Sequence, residues 1–205
     1  GVDFMEKNLY KHRAIIQSQN IITAKQRKTF NALMTIAKPQ LKQDSAKYKF
    51  TTTIQEIQTM ISTKRVRKEE LKESLEELMD LKLEFNVLEN SKWKSWHKMV
   101  LVSWIQIDSE DNIIFEFPSP IRENIINPEI YGVIDMNVNK KLDGSHSIPI
   151  YEFCKDYIKC DVPRLELNVF KKLLGVEGKY KEPRDLKKRI LDPATKEINE
   201  NPFCV

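Results

Sequence analysis

Glycine is scarce, with five residues in a chain of 205, and proline contributes nine. Few phosphate-cradling loops, flexible linkers or glycine-punctuated barrels can be built from so little, so helix with some strand is the expected content. No run of about 18 apolar residues occurs, and the opening residues are not a basic stretch followed by an apolar one. A cytoplasmic protein without a membrane span is expected. Gly1 in the place of an initiating Met reads as a processing remnant. Cys154, Cys160 and Cys204 are an odd number in a chain too large for a disulfide scaffold, and buried thiols are expected. Cys154 and Cys160 lie six apart with none of His12, His97 or His146 nearby, so neither a metal nor another cofactor is expected. The same isolated histidines lack the pairing that a metal-dependent rolling-circle nuclease needs, and no Walker-type loop is present. An enzyme is not expected.

What is abundant is charge. Charged residues make up 31% and hydrophobic ones 40%, a balance that suits a globular protein with much charged surface. The net charge of +4 is unevenly spread. Between Arg164 and Lys196 ten basic residues face five acidic ones, a local excess of +5 that exceeds the total. A cationic excess confined to one helical segment is the footprint of a nucleic-acid contact, because each neutralised phosphate releases counterions. The alternative is a solvated lysine-rich face.

Periodicity divides the chain at about residue 144. Thr23 is a plausible N-cap for a helix carrying Phe30, Leu33, Met34 and Ala37 at helical spacing, with Pro39 expected to close it. A short strand at 48–51, a helix at 53–62 and a second helix with Leu71, Leu75, Leu78 and Met79 on one face follow. Strand-like runs come next at 83–88, 99–107 and 113–117, the last two joined by a polar turn at 109–112. Two helices and then strands is the order of a winged helix. A short helix is expected at 121–126, whereas 131–138 is either extended or helical.

The order then restarts. Pro149 sits in the first turn of one helix, a second runs over 167–174 to Gly175, and a third begins near Pro183. In the third, Leu186, Ile190, Ala194 and Ile198 recur every four residues, while Asp185, Lys188, Arg189, Asp192, Lys196 and Asn199 occupy the other face. Pro193 should bend this helix without ending it. Phe203, Cys204 and Val205 read as the start of a strand, so the second unit is expected to lack its C-terminal wing. The fold class is therefore α+β, predominantly helical: one winged-helix unit over 1–144 and a second, truncated one over 145–205.

Such a helix fits the major groove of B-DNA, where arginine and lysine reach guanine edges while neighbours hold phosphates. The candidate contacts are Arg184, Lys187, Lys188, Arg189 and Lys196, with Lys179 and Lys181 ahead of the helix. The matching helix of the first unit carries Glu69, Glu70, Glu73, Glu76, Glu77 and Asp80, which phosphates would repel. Its basic start, Lys64, Arg65, Arg67 and Lys68, with Lys92, Lys94 and Lys98 expected ahead of the hairpin, could touch only the backbone. A supporting DNA contact or a protein interface is the reading. Trp93, Trp96 and Trp104 are more simply core packing than base-stacking platforms.

The segment DLKKRILDPATKEINE from Asp185 to Glu200, with Tyr151, Glu152, Phe153, Cys154, Lys179 and Tyr180, resembles the plasmid replication initiator (Rep) proteins of the iteron-binding, tandem winged-helix family. IIQSQNIITAKQRKTFNAL from Ile15 to Leu33 is similar to that family's opening, and FEFPSPIRENI to the piece before its second unit. The resemblance implies sequence-specific binding of double-stranded DNA at origin direct repeats by the monomer, and initiation of replication there. It also implies a homodimer that represses on an inverted-repeat operator, and recruitment of host replication proteins. On that pattern Lys187, Lys188, Arg189 and Lys196 belong to the main recognition helix. A repressor without a replication role, or a module that binds replication proteins, is the alternative.

Overall fold

The computed structural model describes residues 8–16, 22–89, 92–126, 131–158, 161 and 164–201. It opens on a strand that periodicity does not announce, β1 (Asn8–His12), and a single turn, α1 (Arg13–Ile16). β1 pairs antiparallel with β7 (Tyr131–Asp135), Asn8 opposite Asp135 and His12 opposite Tyr131. A five-residue strand has little preference of its own, so this one depends on a partner more than a hundred residues away.

Helix α2 (Ala24–Gln43) is the centre of the first unit. Thr23 and Gln26 form a capping box: the Thr23 hydroxyl accepts from the Gln26 amide, and the Gln26 side chain accepts from the Thr23 amide. Phe30, Leu33, Met34 and Ala37 are all buried. Pro39 does not close the helix as expected but lies inside it. Tertiary contacts outweigh the lost backbone hydrogen bond: Leu41 is buried just beyond it, and the Gln40 side chain both donates to the Thr51 carbonyl and accepts from the Thr51 amide.

That bond pins α2 to β2 (Lys49–Thr53), from which α3 (Ile54–Ile61) and α4 (Lys68–Asp80) continue as the helix-turn-helix. The Thr53 hydroxyl caps α3 by accepting from the Glu56 amide. Ile54, Ile57, Met60 and Ile61 of α3 and Leu71, Leu75 and Leu78 of α4 are buried. Two hairpins follow, β3 (Lys82–Glu89) with β4 (Lys92–Val100), and β5 (Trp104–Ile107) with β6 (Asn112–Glu116).

The run expected to be continuous over 99–107 is thus divided. Leu101 donates to the Leu81 carbonyl and Ser103 to that of Glu116, so the chain changes sheets between them, with Leu101 and Val102 buried at the crossing. Lys92, Lys94 and Lys98 lie on β4, ahead of the β5–β6 hairpin as expected. The side chains of Trp93, Trp96, Lys92 and Lys94 lie outside the described residues. Trp104 is half-buried, with the Lys49 ammonium 5.0 Å from its ring centroid. The polar turn expected at 109–112 is present, and the Asp108 carboxylate holds it by accepting from the Glu110 and Asn112 amides.

β6 lies between β2 and β5 in a three-stranded sheet. Phe30 of α2 meets Phe117 edge-on at 5.8 Å, and Phe117 meets Phe50 and Phe115 at 5.9 and 5.3 Å, which fastens helix to sheet. After α5 (Ser119–Ile126), the segment left open as extended or helical is both: β7, then α6 (Met136–Lys141), with the Asp135 carboxylate capping the Asn137 amide.

Helices α7 (Ser147–Asp156), α8 (Leu167–Leu173), α9 (Pro183–Leu186) and α10 (Asp192–Asn199) complete the described chain. Helix α7 is shared: Ile148 and Tyr151 belong to the large first core, and Ile150 to a smaller one with Leu174, Val176, Leu186, Ile190 and Ala194. Cys154 is exposed, contrary to the expectation of buried thiols, because both apolar faces of α7 are already used by other residues. Cys160, Cys204 and the strand start expected at 203–205 lie outside the described residues. Gly175 ends α8 with φ of 65°, its amide donating to the Lys172 carbonyl and the Val176 amide to that of Lys171, a Schellman motif. No helix among the described residues is long and apolar enough to cross a membrane.

Candidate nucleic-acid interface

From Pro183 to Asn199 the chain is one helical rod in three parts, α9, a π-helical turn over Lys187–Leu191, and α10. Pro193 explains the middle part. A proline ring collides with the carbonyl four residues back and offers it no N–H. Widening the preceding turn shifts the bonding by one residue, so that the Asp192 amide donates to the Lys187 carbonyl and Pro193 falls in the first turn of α10. The rod continues, and Leu186, Ile190 and Ala194 stay buried in the second core, with Ile198 half-buried beside them.

The opposite face is cationic and open. Lys179, Lys181, Arg184, Lys187, Lys188, Arg189 and Lys196 are all exposed. Lys187 is hydrogen-bonded to Asp192 at 2.5 Å, and Lys196 stands 3.8 Å from Glu200. Pairs this exposed are worth about 0–1 kcal/mol and yield readily to a phosphate. Arg184, Lys188 and Arg189 have no ion pair among the described residues. Ahead of the rod, Gly178 and Tyr180 adopt φ of 71° and 52°, and the buried Lys171 donates to the Tyr180 carbonyl at 2.7 Å. This tight loop presents Lys179 and Lys181 beside the rod's first turn.

In the first unit, the turn between α3 and α4 forms one wall of an open groove of about 1050 Å³. Lys64, Arg65, Arg67 and Lys68 line it, together with Lys140 of α6 and Glu110 of the β5–β6 turn. Gln58 holds the turn in shape by donating to the Val66 carbonyl at 2.8 Å. The four cations are not equivalent. Arg67 is bonded to Glu70 at 2.6 Å and Lys68 to Asp111, whereas Lys64 and Arg65 are exposed without an ion pair among the described residues. On α4 itself Glu69, Glu73, Glu76 and Asp80 are exposed, and a row of carboxylates cannot approach phosphates. Of the described helix-turn-helix, the basic turn is the part whose charge is opposite to that of a duplex backbone. Lys140 escapes sequence reasoning because it lies about 75 residues from the turn that it joins.

A buried ionic cluster ties this unit to α7. The Glu152 carboxylate, wholly buried, accepts from Lys11 of β1 at 2.9 and 3.0 Å, from Arg27 at 2.9 Å and from Asn31 at 2.7 Å. Burial pushes the Glu152 carboxyl up, but the attraction of Lys11 and Arg27 and the donated hydrogen bonds outweigh it, and the net direction is down. Lys11 goes down to about 8: burial lowers it, Glu152 opposes this, and Arg27 adds repulsion. The cluster is ionised at neutral pH and carries one cation more than it has carboxylates. No group of three or more potential metal ligands occurs among the described residues.

Two family models match. "Initiator Replication protein, WH1" covers residues 8–155, and "Initiator Rep protein, WH2" covers residues 166–204. The chain belongs to the replication initiator protein family. Its two winged-helix units are thus those of a plasmid replication initiator, a DNA-binding protein. No curated protein matches this initiator. Among solved structures, that of domains 2 and 3 of RctB is similar over 88% of this chain and 70% of that one, with a TM-score of 0.58 and 13% identity, a likeness of fold.

Proposed function

We propose that this initiator binds direct repeats at a plasmid origin, with the Pro183–Asn199 rod reading bases in the major groove and the Lys64–Arg65 turn holding backbone. The observation that carries the reading is the exposed set Arg184, Lys188 and Arg189, without an ion pair among the described residues, on the face of the rod opposite the buried Leu186, Ile190 and Ala194. Bidentate contacts from arginine and lysine to guanine O6 and N7 are the chemistry that this face supplies. The protein performs no bond-making of its own in this reading. It marks or opens the origin in the cytoplasm and recruits host replication proteins, and as a homodimer it represses on an inverted repeat.

The test is footprinting of the full chain on DNA flanking its gene, with affinity measured against salt. Protected direct repeats are expected. If six to ten phosphates are contacted, affinity should fall by about 10³ to 10⁵ between 50 and 200 mM salt. The double substitution Lys188→Glu/Arg189→Glu should abolish specific binding while leaving the circular dichroism spectrum unchanged. A specific complex indifferent to salt, or to that double substitution, would overturn the reading. A lone inverted repeat, with no direct repeats, would favour a repressor instead.

A further inference from the structure

The Glu197 carboxylate faces away from the DNA-reading side of α10. It reaches across to the junction where α6 gives way to α7, and accepts from the Asp143 amide at 2.6 Å and from the Gly144 amide at 3.2 Å. The Ser147 hydroxyl completes the set. A Cβ on residue 144 would stand 2.6 Å from the Glu197 Oε2 and collide with the Ser147 side chain, so the approach requires glycine there. The junction is held equally firmly from its other side. Lys28 of α2, its side chain 6% exposed, donates to the Lys140 carbonyl at 2.9 Å and to the Asp143 carboxylate at 3.0 Å.

One unbroken path of polar contacts therefore runs from the groove of the first unit, through Lys140, Lys28 and Asp143, to the base-reading rod of the second. Beside these polar bonds, the rod also makes an apolar contact with the first unit. Ile198 packs against both cores, and apolar packing resists separation better than it resists sliding. Hydrogen bonds to two consecutive amides and a hydroxyl have direction, and they specify one rotation of α10 about its axis.

We propose that Glu197 is a positioning residue: by locking α10 to the junction at 143–147, it sets the spacing and rotation between the DNA contacts of the two units. The inference rests on the duplex-binding reading above. It adds that a site is recognised as two segments at a set separation, and that this separation is written into a protein–protein contact and not into either DNA-contacting surface.

The experiment uses the full chain and a duplex selected by it from a randomised pool, with the two protected segments located by hydroxyl-radical footprinting. Duplexes are then made with one to five base pairs inserted between the segments. Each inserted pair displaces the second segment by about 3.4 Å and rotates it by about 35°, so five place it on the opposite face. The wild type should lose at least about tenfold in affinity across the series, since each mismatched contact is worth roughly tenfold. Glu197→Ala should bind the selected site less tightly, yet change less than about threefold over the series. Glu197→Gln keeps an acceptor for the amides and should fall between the two, and Gly144→Ala should reproduce Glu197→Ala from the other side. Protection of the rod's own segment should persist in all three.

A merely structural role would lower affinity for every duplex alike and leave the steepness of the series intact. That result from Glu197→Ala or, should it fail to fold, from Glu197→Gln, overturns the proposal while duplex binding stands. Loss of the rod's own footprint in a folded variant overturns it as well. A wild type that selects no duplex at all sinks the duplex-binding reading itself.

Discussion

Replacing Glu152 by alanine removes the carboxylate on which Lys11 and Arg27 converge, and leaves two cations together in a site from which water is excluded. The side chains involved are 1%, 4% and 0% exposed for Lys11, Arg27 and Glu152, so solvent cannot screen the repulsion. Breaking a buried pair in this way costs about 3–5 kcal/mol. For a chain of this size about 1 kcal/mol moves the melting temperature by roughly 2–4 °C, which puts the loss at about 6–20 °C. Lys11→Met should behave differently. It removes the surplus cation and the burial penalty that drags Lys11 down to about 8, leaving Glu152 balanced by Arg27, at the expense of the Lys11 hydrogen bonds to Asn31 and Glu152. Its loss should be no more than about half that of Glu152→Ala. Urea unfolding of the two variants and the wild type is the assay. Equal losses, or a Glu152→Ala loss below about 1 kcal/mol, would refute the electrostatic account of the cluster.

The same cluster sets a pH signature. Between about 8 and 10.5 the unfolded chain keeps a proton that folded Lys11 has released, so wild-type stability should rise with pH there relative to Lys11→Met, by up to about 3 kcal/mol. On the acid side, the lowered Glu152 contributes stability that is present above about 4.5 and lost as pH falls below it. Lys64→Ala and Arg65→Ala should weaken duplex binding about equally for all sequences and reduce the salt slope by roughly 1 each, as phosphate contacts do; a change in sequence preference would contradict this. Pro193→Ala permits the π turn to tighten, rotating Lys188 and Arg189 by about 100° relative to Lys196. Stability should hold or increase while specific affinity drops, and unchanged affinity would show that the π turn places nothing of consequence. A Cβ at Gly132 would meet Ile16 Cδ1 at 2.8 Å and the Asp156 backbone at 3.2 Å, so Gly132→Ala should cost about 1–3 kcal/mol in thermal unfolding.

Local chemistry determined much of this protein. Apolar spacing located α2, α3, α4 and the Pro183–Asn199 rod, because a helix buries a stripe that its own sequence must repeat every three to four residues. Thr23 and Gly175 marked helix ends, because capping is settled within a few residues of the terminus. The same spacing separated the buried Leu186, Ile190 and Ala194 from the exposed Lys188 and Arg189, and so made the candidate DNA face legible in the sequence. What only the tertiary structure decided depends on partners distant in the chain. β1 is a strand because β7 lies beside it, and Pro39 stays inside α2 because Leu41 and Gln40 find contacts beyond it. Lys11 and Glu152 look like ordinary surface residues until folding brings together two positions 141 apart in the chain. Glu197 likewise reads as one more exposed charge on a polar helix, and it becomes a latch only against Gly144. Propensity and capping act over a few residues, whereas ion pairs and close approaches are created by the fold itself.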